Sequence, residues 1–274
     1  RLLVYPKAMS AREMTVLGEG TLLNVGLETT RRSGTGEEFS QLRDYEVGDP
    51  PRLIHWPKSA RHNRLLVKSF EKNIQTEVTL FVDLGRLGLT GLGDVTSLEY
   101  LVKAAATVAC VTLERGHQLQ AVAFGGETQV TPLGGGPQHL LALLDQMVLW
   151  RADGKKSFDE GVREELHRVR AGSTVAWCLS ASRANLEALK ALLQLHRQDR
   201  VKTLVYLVDD RSFLSLYPEQ QKILANRPAA ETVARMLIEE GATVYVLSRT
   251  EKLEKSLSLP AQVEGLAEII SHRK

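Results

Sequence analysis

Asp49, His55, Arg61 and Lys68 are the side chains in this sequence whose types and spacing come nearest to acid–base chemistry. An imidazole six residues after a carboxylate is the raw material of a general base with its orienting partner, and two cations downstream could steady a developing negative charge. A hydrolase or nuclease built on these four is the enzymatic reading. It has no nucleophile to work with, because no Gly-x-Ser-x-Gly elbow occurs anywhere. The structural reading of the same stretch is a Gly48-Asp49 turn stiffened by Pro50-Pro51, Arg52 paired with a nearby carboxylate, and Trp56 buried against a sheet.

Other chemistries are thinner still. Cys110 and Cys178 both fall in apolar runs, one helical and one strand-like, so each reads as a buried reduced thiol. With no CxxC or HxxxH spacing, the usual zinc signatures are excluded. Gly34-Thr35-Gly36 lacks the third glycine of a dinucleotide fingerprint. Gly134-Gly135-Gly136-Pro137 is not followed by Lys-Ser or Lys-Thr, so neither cluster is a phosphate loop, and no cofactor is expected.

Lys plus Arg (35) nearly balance Asp plus Glu (33), which gives no global field for nucleic acid. The basic excess is local: Arg52, Lys58, Arg61, Arg64 and Lys68 follow one another with no carboxylate between them. This reads as a solvated face with some ion pairs, and alternatively as a surface for phosphate or lipid. No run of eighteen apolar residues is present. The chain opens on Arg1 with nothing that reads as a signal peptide, which points to a fragment of a longer protein.

The elements that must position these residues follow from periodicity. Ser10 to Gly36 carries scattered apolar residues and glycines, read as short strands or loops. Leu65 to Val67 is strand-like. Glu77 to Val82 is almost unbroken in apolarity, as in a strand covered on both faces. Helical spacing then runs from Ser97 to Arg115 with Gly116 as its stop, followed by strands at Gln118–Phe124 and Gln129–Leu133. Helices are expected from Gln138 to Trp150, Phe158 to Arg170 and Asn185 to Arg200, with another opening at Pro228 in its first turn. Strands are expected at Thr174–Leu179, Lys202–Val208 and Thr243–Leu247, and a short helix after Glu251. Alternation of this kind predicts an α/β fold, a mostly parallel sheet flanked by helices, with ligands at the carboxyl ends of its strands.

The segment Phe39–Glu71 carries a pattern: Gly48-Asp49, Arg52, Ile54-His55-Trp56, Ser59-Ala60-Arg61, then Val67-Lys68-Ser69-Phe70-Glu71. It resembles the bacterial family called domain of unknown function 58, over nearly the whole chain. The resemblance implies a von Willebrand factor A-like (Rossmann-like) domain over residues 76–274, preceded by a β-rich elaboration over residues 1–75 that wraps the sheet. It implies a protein-interaction role rather than an enzymatic one. The partners it implies are a MoxR-type AAA+ ATPase or a transglutaminase-like membrane protein, at the cytoplasmic face of the bacterial membrane. A membrane hairpin before Val4-Tyr5-Pro6 would supply the tether.

In von Willebrand A-like domains the first strand ends in Asp-x-Ser-x-Ser, whose oxygens bind a divalent cation. Here it reads Asp83-Leu84-Gly85-Arg86-Leu87, and the later aspartate is replaced in Leu179-Ser180-Ala181. Asp83 is the single candidate ligand retained, and one oxygen group cannot hold magnesium. Asp83 is expected instead to cap a loop or pair with a base, with Arg86 and Lys155 as nearby positive charges. Leu84, Gly85, Arg86, Ser180 and Arg183 are the expected interaction loops.

Overall fold

The apolar runs at Val78–Val82, Leu119–Phe124, Val175–Leu179, Leu204–Val208 and Val244–Leu247 all enter one six-stranded sheet in the computed structural model of the protein. The structure describes residues 6, 8, 38–71, 76–86, 90–92, 95–214, 226–258, 260 and 261, so the reading of Ser10–Gly36 lies outside the described residues. These residues fall into two compact units, the smaller within Gly26–Gln75 and the larger comprising the rest.

The smaller unit is an antiparallel pair, β1 (Glu38–Asp44) and β2 (Leu66–Glu71), with the short helix α1 (Trp56–His62) between them. Ser59 fastens α1 to the start of β2. Its Oγ accepts from Leu66 N at 2.9 Å in a buried bond and donates to His55 O at 3.0 Å in a partly buried one. Ile54 is buried and bridges Val67, whereas Trp56 is 61% exposed. The expected burial of Trp56 is therefore wrong. The inward position in this stretch belongs to Ile54, two residues earlier, and Trp56 opens the helix on the outside.

The larger unit runs β3 (Glu77–Asp83), the two-residue ladder β4 (Gly91–Leu92) and β5 (Val95–Thr96), α2 (Ser97–Glu114), β6 (Gln118–Phe124), β7 (Thr128–Gly134) and α3 (Gly136–Met147). It continues with α4 (Phe158–Glu164), β8 (Thr174–Ser180), α5 (Leu186–Gln198), β9 (Lys202–Val208), α6 (Ala230–Glu239), β10 (Thr243–Leu247) and α7 (Leu253–Ser258). Strand order is β10-β9-β8-β3-β6-β7, parallel throughout except for the antiparallel edge strand β7. This is a mixed α/β, Rossmann-like architecture.

Continuous apolarity in the strands follows from cover on both faces. Val78, Leu80 and Val82 join one core cluster with α2, while Phe81 joins the other with Phe158, Trp177 and Leu189. Helix starts are capped by side chains. Thr96 Oγ1 accepts from Glu99 N at 3.2 Å, Asn185 Oδ1 from Ala188 N at 3.3 Å, and Ser157 forms a reciprocal box with Glu160.

Helix boundaries differ from expectation in several places: α3 spans Gly136–Met147 rather than Gln138–Trp150, and α5 ends at Gln198 rather than Arg200. The helix expected over Phe158–Arg170 ends at Glu164, and the chain tightens into a 3-10 turn at Leu166–Arg168. Arg168 and Glu165, three residues apart and so nearly eclipsed there, pair at 2.5 Å. α6 begins at Ala230 rather than at Pro228, which precedes the cap residue Ala229. Among the described residues no helix is long and apolar enough to cross a membrane.

Candidate functional site

The sheet order reverses between β3 and β8: from β3 the chain moves out to β6 and β7, and from β8 it moves the opposite way to β9 and β10. The crevice at the carboxyl ends of these two central strands is where open α/β sheets place their ligands. Asp83 closes β3 and Ser180 closes β8.

Asp83 is 1% exposed and its two oxygens are both engaged. Oδ1 accepts from Gly85 N at 3.0 Å, and Oδ2 accepts from Arg183 Nε at 3.0 Å. Arg183, 8% exposed, also donates through a terminal nitrogen to Lys156 O at 2.6 Å. Burial pushes the Asp83 carboxyl above its ordinary range, and the guanidinium together with the amides of Gly85 and Ser180 pulls it partly back. Asp83 thus both caps the loop at Gly85 and pairs with a basic residue, as expected, and that residue is Arg183, a hundred residues away.

Gly85 makes this pair possible. A Cβ at Gly85 would lie 1.6 Å from Arg183 Cζ and 1.8 Å from one of its terminal nitrogens. Any side chain at Gly85 must expel the guanidinium. Backbone continuity beyond β3 is kept by Gly154, whose N donates to Leu84 O at 2.9 Å and whose O accepts from Arg86 N at 3.1 Å. A divalent cation does not fit this arrangement. Gly85 and Ala181 offer no side-chain oxygen, Ser157 is spent on its helix cap, and the charge a cation would bring is already supplied by Arg183. Leu87 lies outside the described residues. Among the described residues no three His, Cys, Asp or Glu side chains gather where they could hold a metal.

A second buried carboxylate, Asp210, follows the end of β9 in a 3-10 turn spanning Asp210–Phe213. It accepts from Ser180 Oγ and from Ser182 N at 2.8 Å, and its own carbonyl accepts from Thr90 Oγ1 at 3.2 Å. Full burial and the neighbouring Asp209 raise its pKa to about 6, against the lowering effect of these donors. Sequence reasoning missed Asp210. The signal available was a paired Asp209-Asp210 directly after an apolar strand.

A raised carboxyl pKa means the folded state holds its proton more tightly than the unfolded state does. The stability it contributes is present below the unfolded value near 4 and is lost as pH rises through about 6. Asp210→Asn mimics the protonated acid, donating to Ser180 and accepting from Ser182. It should match the wild type in thermal melts near pH 4 and exceed it by on the order of 2 kcal/mol at pH 8. Equal melting temperatures at both pH values would mean that Asp210 is ionised at no cost.

The signature segment behaves as a scaffold. Asp49 accepts two bonds from Arg43, at 2.5 and 2.7 Å, and one from Glu46 N at 2.9 Å, and the Arg43 bond holds its carboxyl below the usual range. His55 Nδ1 accepts from Lys58 N at 3.3 Å and so caps α1. Gly48 takes a left-handed φ of 112° in the turn closed by Asp49 N on Glu46 O. Asp49 is thus tied to Arg43, not to His55. Arg61 stands exposed on α1 and Lys68 half-buried on β2, so the four proposed catalytic side chains do not form an acid–base pair.

Arg52, expected to make an ion pair, makes none among the described residues; Arg43 takes that role from β1. The side chain of Glu71 lies outside the described residues. Cys110 and Cys178 are free and buried, and burial raises the Cys110 thiol to about 11 and pushes Cys178 higher still.

The fold and the switch-point carboxylates define a Rossmann-like α/β protein joined to a small antiparallel unit. Residues 41–214, more than half of the chain, match the family described as "Protein of unknown function DUF58", and the chain belongs to that family. It is also 24% identical over 127 residues to the uncharacterized protein YeaD of Bacillus subtilis (strain 168). That match covers 46% of this chain but only 30% of YeaD, so the chain spans less than a third of the length of that relative.

Proposed function

We propose that this chain is a non-enzymatic protein-interaction module of a membrane-associated bacterial assembly. Its scaffold is von Willebrand factor A-like, and its cation position is degenerate, with Arg183 standing where the ion would be. The Asp83–Arg183 pair at the switch point carries this reading, with Gly85 leaving the room that the guanidinium needs. The strand order with its single antiparallel edge supports the scaffold assignment.

In this reading the docking surface is the loop set at the carboxyl ends of the strands, presented outward by the exposed Arg86, with the buried Leu84, Gly85 and Ser180–Ser182 and the Asp83–Arg183 pair holding it in place from beneath. The partner is an AAA+ ATPase of the MoxR type, or a transglutaminase-like membrane protein, met at the cytoplasmic face of the membrane. A permanent intramolecular cation removes any dependence on an exchangeable one.

Two measurements test it. Millimolar magnesium or manganese should leave the melting temperature unchanged, because only a ligand that binds the native state stabilises it. A rise that disappears in Asp83→Ala would overturn the cation-free reading. Capture of the purified ATPase on immobilised chain, at constant nucleotide and salt, should weaken by about tenfold in Arg86→Glu, the size of one good interface contact. Unchanged capture would place the docking surface elsewhere.

A further inference from the structure

Seven large apolar side chains are strongly exposed among the described residues, and three of them, Val47, Trp56 and Leu65, fall in one short stretch of the smaller unit. The backbone gathers these three. Tyr45 N donates to Leu65 O at 2.9 Å and His55 N donates to Leu66 O at 2.8 Å, so the Glu46–Asp49 turn, α1 and the start of β2 meet at one end of the hairpin. Val47 is 102% exposed at the tip of that turn, where a polar residue is the ordinary choice. Trp56 stands at 61% on the first turn of α1, and Leu65 at 44% just before β2.

Cations lie among them. Arg52, Lys58 and Arg61 are exposed and make no ion pair among the described residues, and no carboxylate occurs from Pro50 to Phe70. Lys58 and Arg61, three residues apart on α1, share a face distinct from that of the buried Ser59. Of the three carboxylates near this end, Asp49 is taken by Arg43 and Asp44 by Arg64, at 2.5 and 3.2 Å. Glu46 remains.

We propose that this end of the hairpin is a peripheral docking surface for an anionic lipid bilayer, with Trp56, Val47 and Leu65 entering the interface and Arg52, Lys58 and Arg61 meeting the headgroups. The pattern favours a bilayer over a protein groove. The apolar groups stand singly on a turn tip, a helix start and a strand start, with unpaired cations between them, rather than forming the continuous apolar centre of a protein interface. Indole beside Lys and Arg suits the depth at which a bilayer changes from hydrocarbon to charged headgroup. Anionic lipid attracts each such cation independently of shape. This surface belongs to the smaller unit and the Asp83–Arg183 pair to the larger, and each reading can fail without the other.

The test uses the whole chain with vesicles of phosphatidylcholine, alone or mixed with phosphatidylglycerol, followed by cosedimentation and tryptophan emission. Trp150 and Trp177 are buried, so a blue shift on binding reports Trp56. Binding and shift are expected with the mixed vesicles only, and both should be reversed by high salt. Removing each of Arg52, Lys58 and Arg61 as serine should weaken partition by about fivefold. Trp56→Ser should abolish the shift and reduce binding, while Trp56→Tyr retains binding, with melting temperatures confirming that every variant is folded. Absence of binding to the mixed vesicles overturns the proposal, as does binding that ignores the serine substitutions. An equal shift produced by soluble glycerol phosphate, or by a short DNA duplex without vesicle binding, would assign the cations to a different ligand and overturn it too.

Discussion

Arg183→Ala is expected to destabilise the protein by about 3–5 kcal/mol at neutral pH, the usual result of removing one partner from a buried ion pair. The loss comes less from the missing attraction than from what stays behind. Asp83 would keep its carboxylate in a site 1% exposed, with only backbone amides as donors. The deficit should depend on pH with a definite sign. Without the guanidinium the folded-state pKa of Asp83 rises further above the unfolded value, so the variant approaches wild-type stability near pH 4 and falls away from it as pH rises. Adding Asp83→Asn removes the stranded charge and should recover part of the loss at pH 7. Gly85→Ser gives an independent route to the same result, because its Cβ takes the place of the guanidinium. Chemical denaturation across this pH range measures all four proteins. A neutral-pH loss below about 1 kcal/mol for Arg183→Ala would show the pair to be worth no more than a surface salt bridge.

The strands were legible because each is covered on both faces, so that burial writes a continuous apolar run: Val78 to Val82 and Thr243 to Leu247 could be read almost to the residue. Helix α5 was legible at its start because Asn185 signals its own cap. The candidate site was legible only in part. Asp83 stood out at the end of an apolar strand, and its isolation from other oxygen ligands was readable in Gly85 and Ala181. Its true partner was not, since Arg183 lies on a different strand-end loop and nothing local couples the two. The same limit hid the Arg43–Asp49 pair, which joins β1 to the Gly48-Asp49 turn, while the nearby carboxylate expected for Arg52 is not there among the described residues. Local periodicity reports what faces inward; it does not report which distant polar groups meet across strand ends.

Tryptophan shows the difference between payload and position, and it sets the second large effect. Trp177→Ala should cost about 3–5 kcal/mol, as truncations of buried aromatics do. Trp177 is fully buried on central strand β8, in register with Phe81 on β3 and Val205 on β9. Its ring lies 5.7 Å from Phe158 in a T-shaped contact and 5.4 Å from the ring of His196, and Phe158 in turn meets Phe124 at 5.9 Å. Removing it opens a void that β3, α4 and α5 all line, and a close-packed interior cannot collapse into such a void without moving strands. Trp56→Ala, by contrast, should stay within about 0.5 kcal/mol of wild type, because an exposed side chain leaves no cavity. Trp177→Phe separates volume from polarity. The indole N–H has no hydrogen-bond partner among the described residues, so deleting it with one ring should cost clearly less than the full truncation. Denaturant midpoints at constant slope decide the matter: if Trp177→Ala and Trp56→Ala melted together, the aromatic cluster under the sheet would not be what holds the larger unit in its fold.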